Sequence, residues 1–364
     1  MNGPDVAIVG GGLAGAAAAA RLAAAGRRVV LLEREAAAHD KVCGEFVSVE
    51  AGQDLAGLGI DLAAAGAVAI RRLRLIAGRR CAVAALPFAA SGLSRRILDG
   101  LVLDRAAAAG AELRRGAAVR AMASAEGAWR LEAGGGAVIA PTVLLATGKH
   151  DLRGWPRPPG RKNDLIGFKM HFAGADPLPD CIDVGWFGGG YAGLQSIEGG
   201  RLNLCLVVEQ GRYEALGRDW RRLMAALAAE LPPLAERLAA AAPCWERPLA
   251  IARIPYGWVH DGGGDPPGLY RLGDQFAVIP SFAGDGMAIA LATARDAAAA
   301  VLAGMPAAEY HRRLHRRLAG QIGLAHRLAV LGGWAPTRHL AVAAARLFPA
   351  LPGLAARATR LRAA

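Results

Sequence analysis

The residues best spaced to do chemistry open the chain: Asp5-Val-Ala-Ile-Val-Gly10-Gly11-Gly12-Leu13-Ala14-Gly15. A short apolar strand runs into a glycine turn and then into a helix-forming stretch, Ala16 to Ala25, with Gly26 placed to end it. In such a turn Gly10 permits the tight bend. Gly12 lets backbone N–H groups approach a pyrophosphate, and Gly15 lets helix and strand pack closely. Leu13 and Ala14, in the first helical turn, join the binding set, because the positive end of the helix dipole points at the phosphates. A second strand, Val29 to Leu32, ends at Glu33 and Arg34. A carboxylate there can accept from both ribose hydroxyls, which favours an unphosphorylated adenosine ribose. The implied chemistry is redox chemistry borrowed from a bound dinucleotide.

Composition sets the frame around this unit. The 364 residues suffice for a large core and two interleaved domains. The only lysines are Lys41, Lys149, Lys162 and Lys169; the other basic residues are arginines. Of the net charge of +12, nine units fall in residues 305–364, which hold ten arginines and one acid, Glu309. The N-terminus runs straight into the first strand without a signal peptide, and no apolar run reaches the ~20 residues of a membrane span. Five cysteines without metal-type or CxxC spacing fit reduced thiols, so a cytoplasmic protein with no metal is expected.

Two further segments carry the reading on. Leu272-Gly273-Asp274-Gln-Phe-Ala-Val-Ile-Pro280-Ser-Phe282-Ala-Gly284-Asp285-Gly286-Met287 resembles the segment by which the p-hydroxybenzoate hydroxylase/geranylgeranyl reductase superfamily of FAD-dependent oxidoreductases holds the ribityl chain and flavin ring. Lys41-Val42-Cys43-Gly44-Glu45-Phe46 is similar to the Lys-x-Cys-Gly stretch of geranylgeranyl-reductase-like flavoproteins and to the Gly-Glu of flavin-dependent halogenases. Ser94-Arg95-Arg96 resembles the start of a helix lying close to FAD, and Val143 to Gly148 resembles the strand and turn, with Thr147 and Gly148, that close the FAD domain. The resemblance runs over residues 5–300 and is to the group A flavin monooxygenase-like members, in a Lys-x-Cys-Gly-Glu-Phe subgroup.

The resemblance implies an α/β fold, a Rossmann-type FAD-binding domain with an interleaved β-rich substrate domain (glutathione-reductase-2 or p-hydroxybenzoate hydroxylase-like) and C-terminal helices. The FAD domain is expected from residues 1–70, 92–155 and 268–304, the substrate domain from 71–91 and 156–267, and basic helices from 305–364. Alternation at Leu202, Leu204, Leu206 and Val208 supports strands in the second domain. By resemblance, Asp274 accepts from ribityl hydroxyls or approaches the pyrophosphate, beside Gly273, and Pro280 sits next to the flavin ring. Gly284, Asp285 and Gly286 open a helix from Met287 whose N–H groups face the flavin N1–C2=O edge. Cys43 and Gly44 lie near the ring. Cys43 either tunes the flavin or is a small buried apolar residue. Glu45 is an acid–base candidate or a structural loop carboxylate. His171 is a catalytic candidate or a packed strand histidine. Phe46, His171, Tyr191, Gln195 and Phe282 are the expected substrate-pocket residues.

Departures from the family narrow the function. Ala146-Thr147-Gly148-Lys149 stands where aromatic hydroxylases carry an Asp-Gly motif for FAD and NAD(P)H, and no second strand–glycine–helix unit offers a dedicated NAD(P)H site. NAD(P)H and a separate flavin reductase therefore both stay open as the electron source. Residues 46–148 contain no lysine and no Trp-x-Trp-x-Ile-Pro occurs, both of which halogenases use. The expectation is an FAD monooxygenase of secondary metabolism acting on an apolar aromatic or polyketide-like molecule. Its alternatives are a reductase or dehydrogenase of carbon–carbon double bonds in a prenyl or lipid chain, and a non-catalytic FAD-fold binding protein. The arginine-rich tail reads first as a solvated helix face. With Phe348, Leu354 and Leu361 beside Arg357, Arg360 and Arg362, it also reads as a weak peripheral contact with anionic lipid at the inner membrane. No recognition module for nucleic acid is present.

Overall fold

The structure, a computed structural model, describes residues 3–125, 127–174, 178–333 and 335–361; Arg362 lies outside them. Five parallel strands form the first sheet, in the order Leu269–Arg271, Thr142–Leu145, Val6–Val9, Val29–Glu33, Glu112–Arg115. Val6–Val9 and Val29–Glu33 are buried at every position, as the centre of a sheet covered on both faces requires. Helix α1 (Leu13–Ala24) buries ten of its twelve residues, and its alanines let it lie close to the sheet. Helices α2 (Val49–Ala56) and α3 (Arg95–Ala108) start at Ser48 and Ser94, whose side chains accept from the backbone N–H of Ala51 and Ile97. On the opposite face of the sheet sits an antiparallel three-stranded meander over Val119–Ala140. Its Trp129 and Leu131 pack against Ala7, Val9 and Val30. The sequence reading treats 92–155 as undivided and misses this layer, because its strands are built from alanine and glycine with little β signature.

The second sheet has nine strands and is bounded by period-2 patterning. In the strand Leu165–Ala173, Phe168, Met170 and Phe172 face one side, where helices α4 (Gln210–Ala215), α5 (Trp220–Glu230) and α6 (Pro232–Leu238) cover them with Leu223, Leu227 and Leu234. Gly167, Lys169 and His171 therefore face the other side. The strands Val68–Ala77 and Arg80–Gly92 reach slightly beyond the expected 71–91, and the first pairs in parallel with Cys181–Phe187. Phe46 and Val47 pair with Gly92 and Ser91, so the loop after the first βαβ unit is stitched into this second sheet.

The C-terminal third returns to the first sheet. Helix α7 (Gly286–Leu302) packs against α1, and helix α8 (Ala307–Gly333) buries Leu314, Leu318 and Ile322 on one stripe while Arg312 and Arg313 pair with Glu309 outside. Helices α9 (Ala335–Leu347) and α10 (Ala350–Thr359) follow; Val342 and Ala345 pack onto Ala77 and Ala82 of the second sheet. At the base of α8, Asp265 accepts from Arg271 (Nε at 2.7 Å, Nη2 at 2.8 Å) and lies 2.9 Å from His260 Nε2. Burial and then the charge of His260 push His311 down to about 3, so it is neutral and its Nε2 accepts from the backbone N–H of Arg271 at 3.0 Å. His260, Asp265 and His311 are close enough to resemble a metal cluster, but the Arg271 guanidinium already fills the carboxylate, and the group acts as a latch between chain segments.

Glycine is obligatory at the first turn. A Cβ on Gly15 would lie 1.9 Å from the Gly10 carbonyl oxygen, and Gly10 itself has φ +105° with Ala146 O 2.5 Å from its would-be Cβ. Gly15→Ala is expected to cost about 1–3 kcal/mol of stability through forced backbone movement, read as a lower urea midpoint with unchanged slope.

Candidate active site

A cavity of about 1120 Å³ opens between the two sheets. That exceeds the ~300–1,000 Å³ of a pocket for one drug-sized ligand and leaves room for a cofactor and a second molecule. One end is polar. Gly10, Gly12, Leu13, Ala14, Glu33 and Arg34 line it, as expected. A Cβ on Gly12 would stand 3.7 Å from Lys41 Nζ and 3.8 Å from Arg95 Nη2, so two cations frame the open turn. Both grip buried Asp99, Lys41 at 2.7 Å and Arg95 at 2.7 and 3.0 Å. Burial pushes Asp99 up, but Arg95 and then Lys41 outweigh it and hold its carboxyl below the usual range. Glu33 accepts from Gly11 N–H at 2.6 Å and Glu35 N–H at 2.9 Å, which fixes its carboxylate at the cavity edge. Helices α1 and α7 both begin without a side-chain cap and without an acid in the first turn, and both send their first residues to the cavity wall. Free N–H groups at the start of α1 beside two cations suit a diphosphate.

Facing this turn, Thr147, Gly148, Gly273, Asp274, Gly284, Gly286 and Met287 also line the cavity. Gln275 Nε2 donates to Gly148 O (2.9 Å) and His150 O (3.1 Å). Arg157 donates to Asp274 O (2.7 Å) and Lys149 O (2.8 Å), clamping the two turns together. Arg157 belongs to no motif, and Gln275, although inside the 272–287 segment, has no role assigned there; both are defined by what they bridge. Three expected cofactor residues are set back from the wall. Gly15 is buried within the first turn of α1, and Pro280 is buried just before the 281–283 turn. Asp285 does not cap α7. It is fully buried, 2.8 Å from Arg360 Nη1, and burial pushes it up to about 7 against the charge of Arg360.

Between the polar and apolar ends stands Glu45. Its backbone is left-handed (φ 58°) and its carboxylate is fully buried. Oε1 receives Lys169 Nζ at 2.5 Å and the Arg95 N–H at 2.7 Å, and Oε2 lies 2.7 Å from His171 Nε2. Gln195 Nε2 donates to Glu45 O at 2.8 Å, and Asn203 Nδ2 donates to Cys43 O (3.2 Å) and Gly44 O (2.8 Å). Burial alone pushes Glu45 up, but the His171 hydrogen bond and the charges of Lys169 and His171 outweigh it and the net direction is down. His171 is sealed between Glu45 and the Trp245 ring, 4.8 Å away, and does not line the cavity. Its expected place in the substrate pocket is thus corrected: alternation turns it to the right face of the strand, but at a depth already filled by the 40–45 loop. Glu45 lines the cavity with every carboxylate oxygen engaged, and Cys43 lines it half-buried, its Sγ accepting from Glu45 N–H at 3.4 Å. Lys169 is missed by sequence reading, although a lysine two positions from His171 in a chain with four lysines was a signal available there.

Residues 5–83 match the family model for FAD dependent oxidoreductases. That match takes in 79 of the 364 residues, from the first strand into the second sheet. No curated protein matches the sequence. Among solved structures, the fold is similar to the flavin-dependent brominase Bmp2, with TM-score 0.80 and 18% identity over 98% of this chain and 93% of that one. The myxobacterial chondrochloren halogenase CndH gives 0.79 and 18% over 99% and 91%. A mutant of PqsL from P. aeruginosa gives 0.76 and 20% over 94% and 99%. The likeness is one of fold: a mixed α/β architecture with a parallel core, a β-rich second sheet and C-terminal helices.

The far end of the cavity is apolar. Ile182, Val184 and Trp186 project from one strand, Leu73 and Leu75 from its neighbour and Phe88 from the strand beyond, with Phe46 and Phe282 also on the wall. Tyr191 and Gln195 line it too; Tyr191 OH accepts from Phe282 N–H at 3.1 Å, and Tyr256 OH lies 2.8 Å from Ser281 Oγ. Burial pushes both phenols well up, so they remain neutral hydroxyls. Helices α8, α9 and α10 close this end with Leu328, Leu340 and Ala355, a role the sequence reading did not give them.

Removing Glu45's charge leaves buried Lys169 with the more distant Asp40, at 3.5 Å, as its carboxylate partner among the described residues. Glu45→Gln is expected to cost about 3–5 kcal/mol, with much of the loss recovered in Glu45→Gln/Lys169→Met, as measured by urea unfolding. The pH dependence has a fixed sign. The folded value is depressed, so Glu45's contribution is fully present above its ordinary value of 4.5 and is lost as pH falls below it. The double variant should lose less stability than wild type on acidification from pH 5.

Proposed function

We propose that this protein is an FAD-dependent monooxygenase acting on a small apolar aromatic or polyketide-like molecule, with reduced flavin supplied through a separate reductase. The observation that carries the reading is one continuous cavity whose charged end suits the cofactor diphosphate and whose other end is walled by aliphatic and aromatic side chains. FAD, when bound and reduced, supplies electrons and the activation of dioxygen. The residues of this chain do the rest. Gly10, Gly12, Leu13, Ala14, Lys41 and Arg95 hold the diphosphate, Glu33 and Arg34 the adenosine half, and Thr147, Gly148, Gly273 and Asp274 the ribityl side. The free N–H groups of Gly286 and Met287, at the cavity wall, would stabilise negative charge on a reduced flavin held there. Phe46, Tyr191, Gln195, Phe282 and Trp186 orient the substrate and keep water out. Gln195 Oε1 has no partner among the described residues and is free to accept from a substrate hydroxyl or amide.

Glu45 is read as a positioning residue for the Cys43–Gly44 wall, since its oxygens are taken. Halogenation is less well supported: the lysines on the cavity wall, Lys41 and Lys149, both sit at the cofactor end, engaged with Asp99 and with Val42 O and Asp274. The second reading, reduction of a carbon–carbon double bond, rests on the Lys41–Gly44 segment and on Cys43 lining the cavity. A weak contact with a membrane surface accompanies either reading, since an apolar substrate partitions into lipid.

Two measurements test this. Mixed anaerobically with NADPH or NADH alone, the yellow protein is expected to bleach slowly, and a flavin reductase should accelerate it; rapid bleaching by NAD(P)H alone would make the enzyme self-sufficient. Enzyme reduced with dithionite, then given an apolar aromatic substrate and labelled dioxygen, should place one labelled oxygen atom in the product. Saturation of an alkene without oxygen would replace the monooxygenase reading with the reductase one.

A further inference from the structure

The rim of the apolar cavity end differs from the rest of the surface. Of the ten exposed large hydrophobic side chains among the described residues, seven lie between Val330 and Leu354. Leu347 is 75% and Phe348 63% exposed, and neither lines the cavity. Leu331, Leu340 and Leu351 do both: they are exposed and they line it, so the apolar surface runs without a break from solvent into the cavity. Contiguous apolar surface of this kind marks an interaction site rather than ordinary exterior. The segments Pro336–Leu347 and Ala350–Thr359 are together as apolar as a membrane span but are bent by 117° at their junction, and no single described helix is long and apolar enough to cross a membrane. Two apolar helices of which neither is long enough to cross alone, set at this angle to each other, have the geometry of an element lying in an interface.

Charge selects the occupant. Residues 305–364 carry ten arginines against one acid. Arg327, Arg346 and Arg357 are exposed on these helices, and among the described residues none of them pairs with a carboxylate. We propose that α9 and α10 bed into an anionic lipid surface and that the cavity takes its substrate from the lipid phase through the mouth between them. Guanidinium groups at the rim would meet lipid headgroups while Leu347, Phe348 and Leu354 enter the acyl boundary. An acidic protein partner fits less well, because it would have to cover a face that is mostly aliphatic. The inference rests on the apolar-substrate reading and adds the phase from which that substrate comes.

The test uses the full-length, FAD-loaded protein and flotation on vesicles of phosphatidylcholine containing about a quarter phosphatidylglycerol. Wild type is expected to float with these vesicles and several-fold less with pure phosphatidylcholine. Leu347→Glu/Phe348→Glu should weaken flotation about tenfold or more, while FAD content and absorbance spectrum, measured on the same samples, stay those of wild type. Arg346→Gln/Arg357→Gln should abolish the preference for the anionic vesicles. Wild type that fails to float, or a Leu347→Glu/Phe348→Glu protein that floats equally, overturns the proposal. Retention on immobilised poly-glutamate without vesicle binding would reassign the face to an acidic protein. Flotation as expected with no labelled oxygen in product would count against the monooxygenase reading alone.

Discussion

The ionised carboxylate of Glu45, held between Lys169 and His171, is the interaction on which the rest of the site depends. It belongs to the loop that follows the dinucleotide unit, and its partners belong to the second sheet. Three charged or polar groups taken out of water are costly unless each is satisfied. Here Arg95 N–H, Lys169 and His171 fill the carboxylate oxygens, while Gln195 and Asn203 hold the backbone around it. The left-handed conformation of Glu45, about 1 kcal/mol or more unfavourable for a non-glycine residue, persists because every neighbouring bond over-determines it. Cys43 and Gly44 are thereby fixed in the cavity wall, and α3 is aligned so that Arg95 reaches Gly12.

Much of this was legible in the sequence, for reasons that differ by region. The first βαβ unit reads clearly because steric demand and ligand demand coincide: Gly10 and Gly15 tolerate no side chain, and Gly12 leaves space that a phosphate can use. Helix α7 reads from Gly284 to Met287 for the same reason. The strand 165–173 was visible from its alternation, and alternation correctly assigns Gly167, Lys169 and His171 to one face. It cannot give depth, so His171 was expected in the pocket when the 40–45 loop covers it. Asp285 illustrates a related limit: a carboxylate at a helix start looks like a cap, yet its distant neighbours Arg360 and Gln321 draw it inward.

The least legible parts are those defined by long-range contact. Arg157 and Gln275 are unremarkable in sequence and become important only because two turns meet at them. The 119–140 meander carries few β-branched residues, and its stability comes from Trp129 and Leu131 meeting the first sheet. The C-terminal helices read as an arginine-rich surface because charge dominates their composition, whereas Leu314, Leu318 and Ile322 of α8 and Val342 and Ala345 of α9 decide where they pack.

The short pairing of Phe46–Val47 with Ser91–Gly92 bears on how the enzyme turns over. Since a strand from the cofactor side is hydrogen-bonded into the substrate-side sheet, the two halves cannot swing apart as rigid bodies without breaking that ladder and the Glu45 cluster beside it. Hinge closure, a common way for two-domain enzymes to admit ligands, would cost this fold both that pairing and the Glu45 cluster. A local displacement at the last three helices, whose Leu328, Leu340 and Ala355 wall the apolar end of the cavity, leaves both intact.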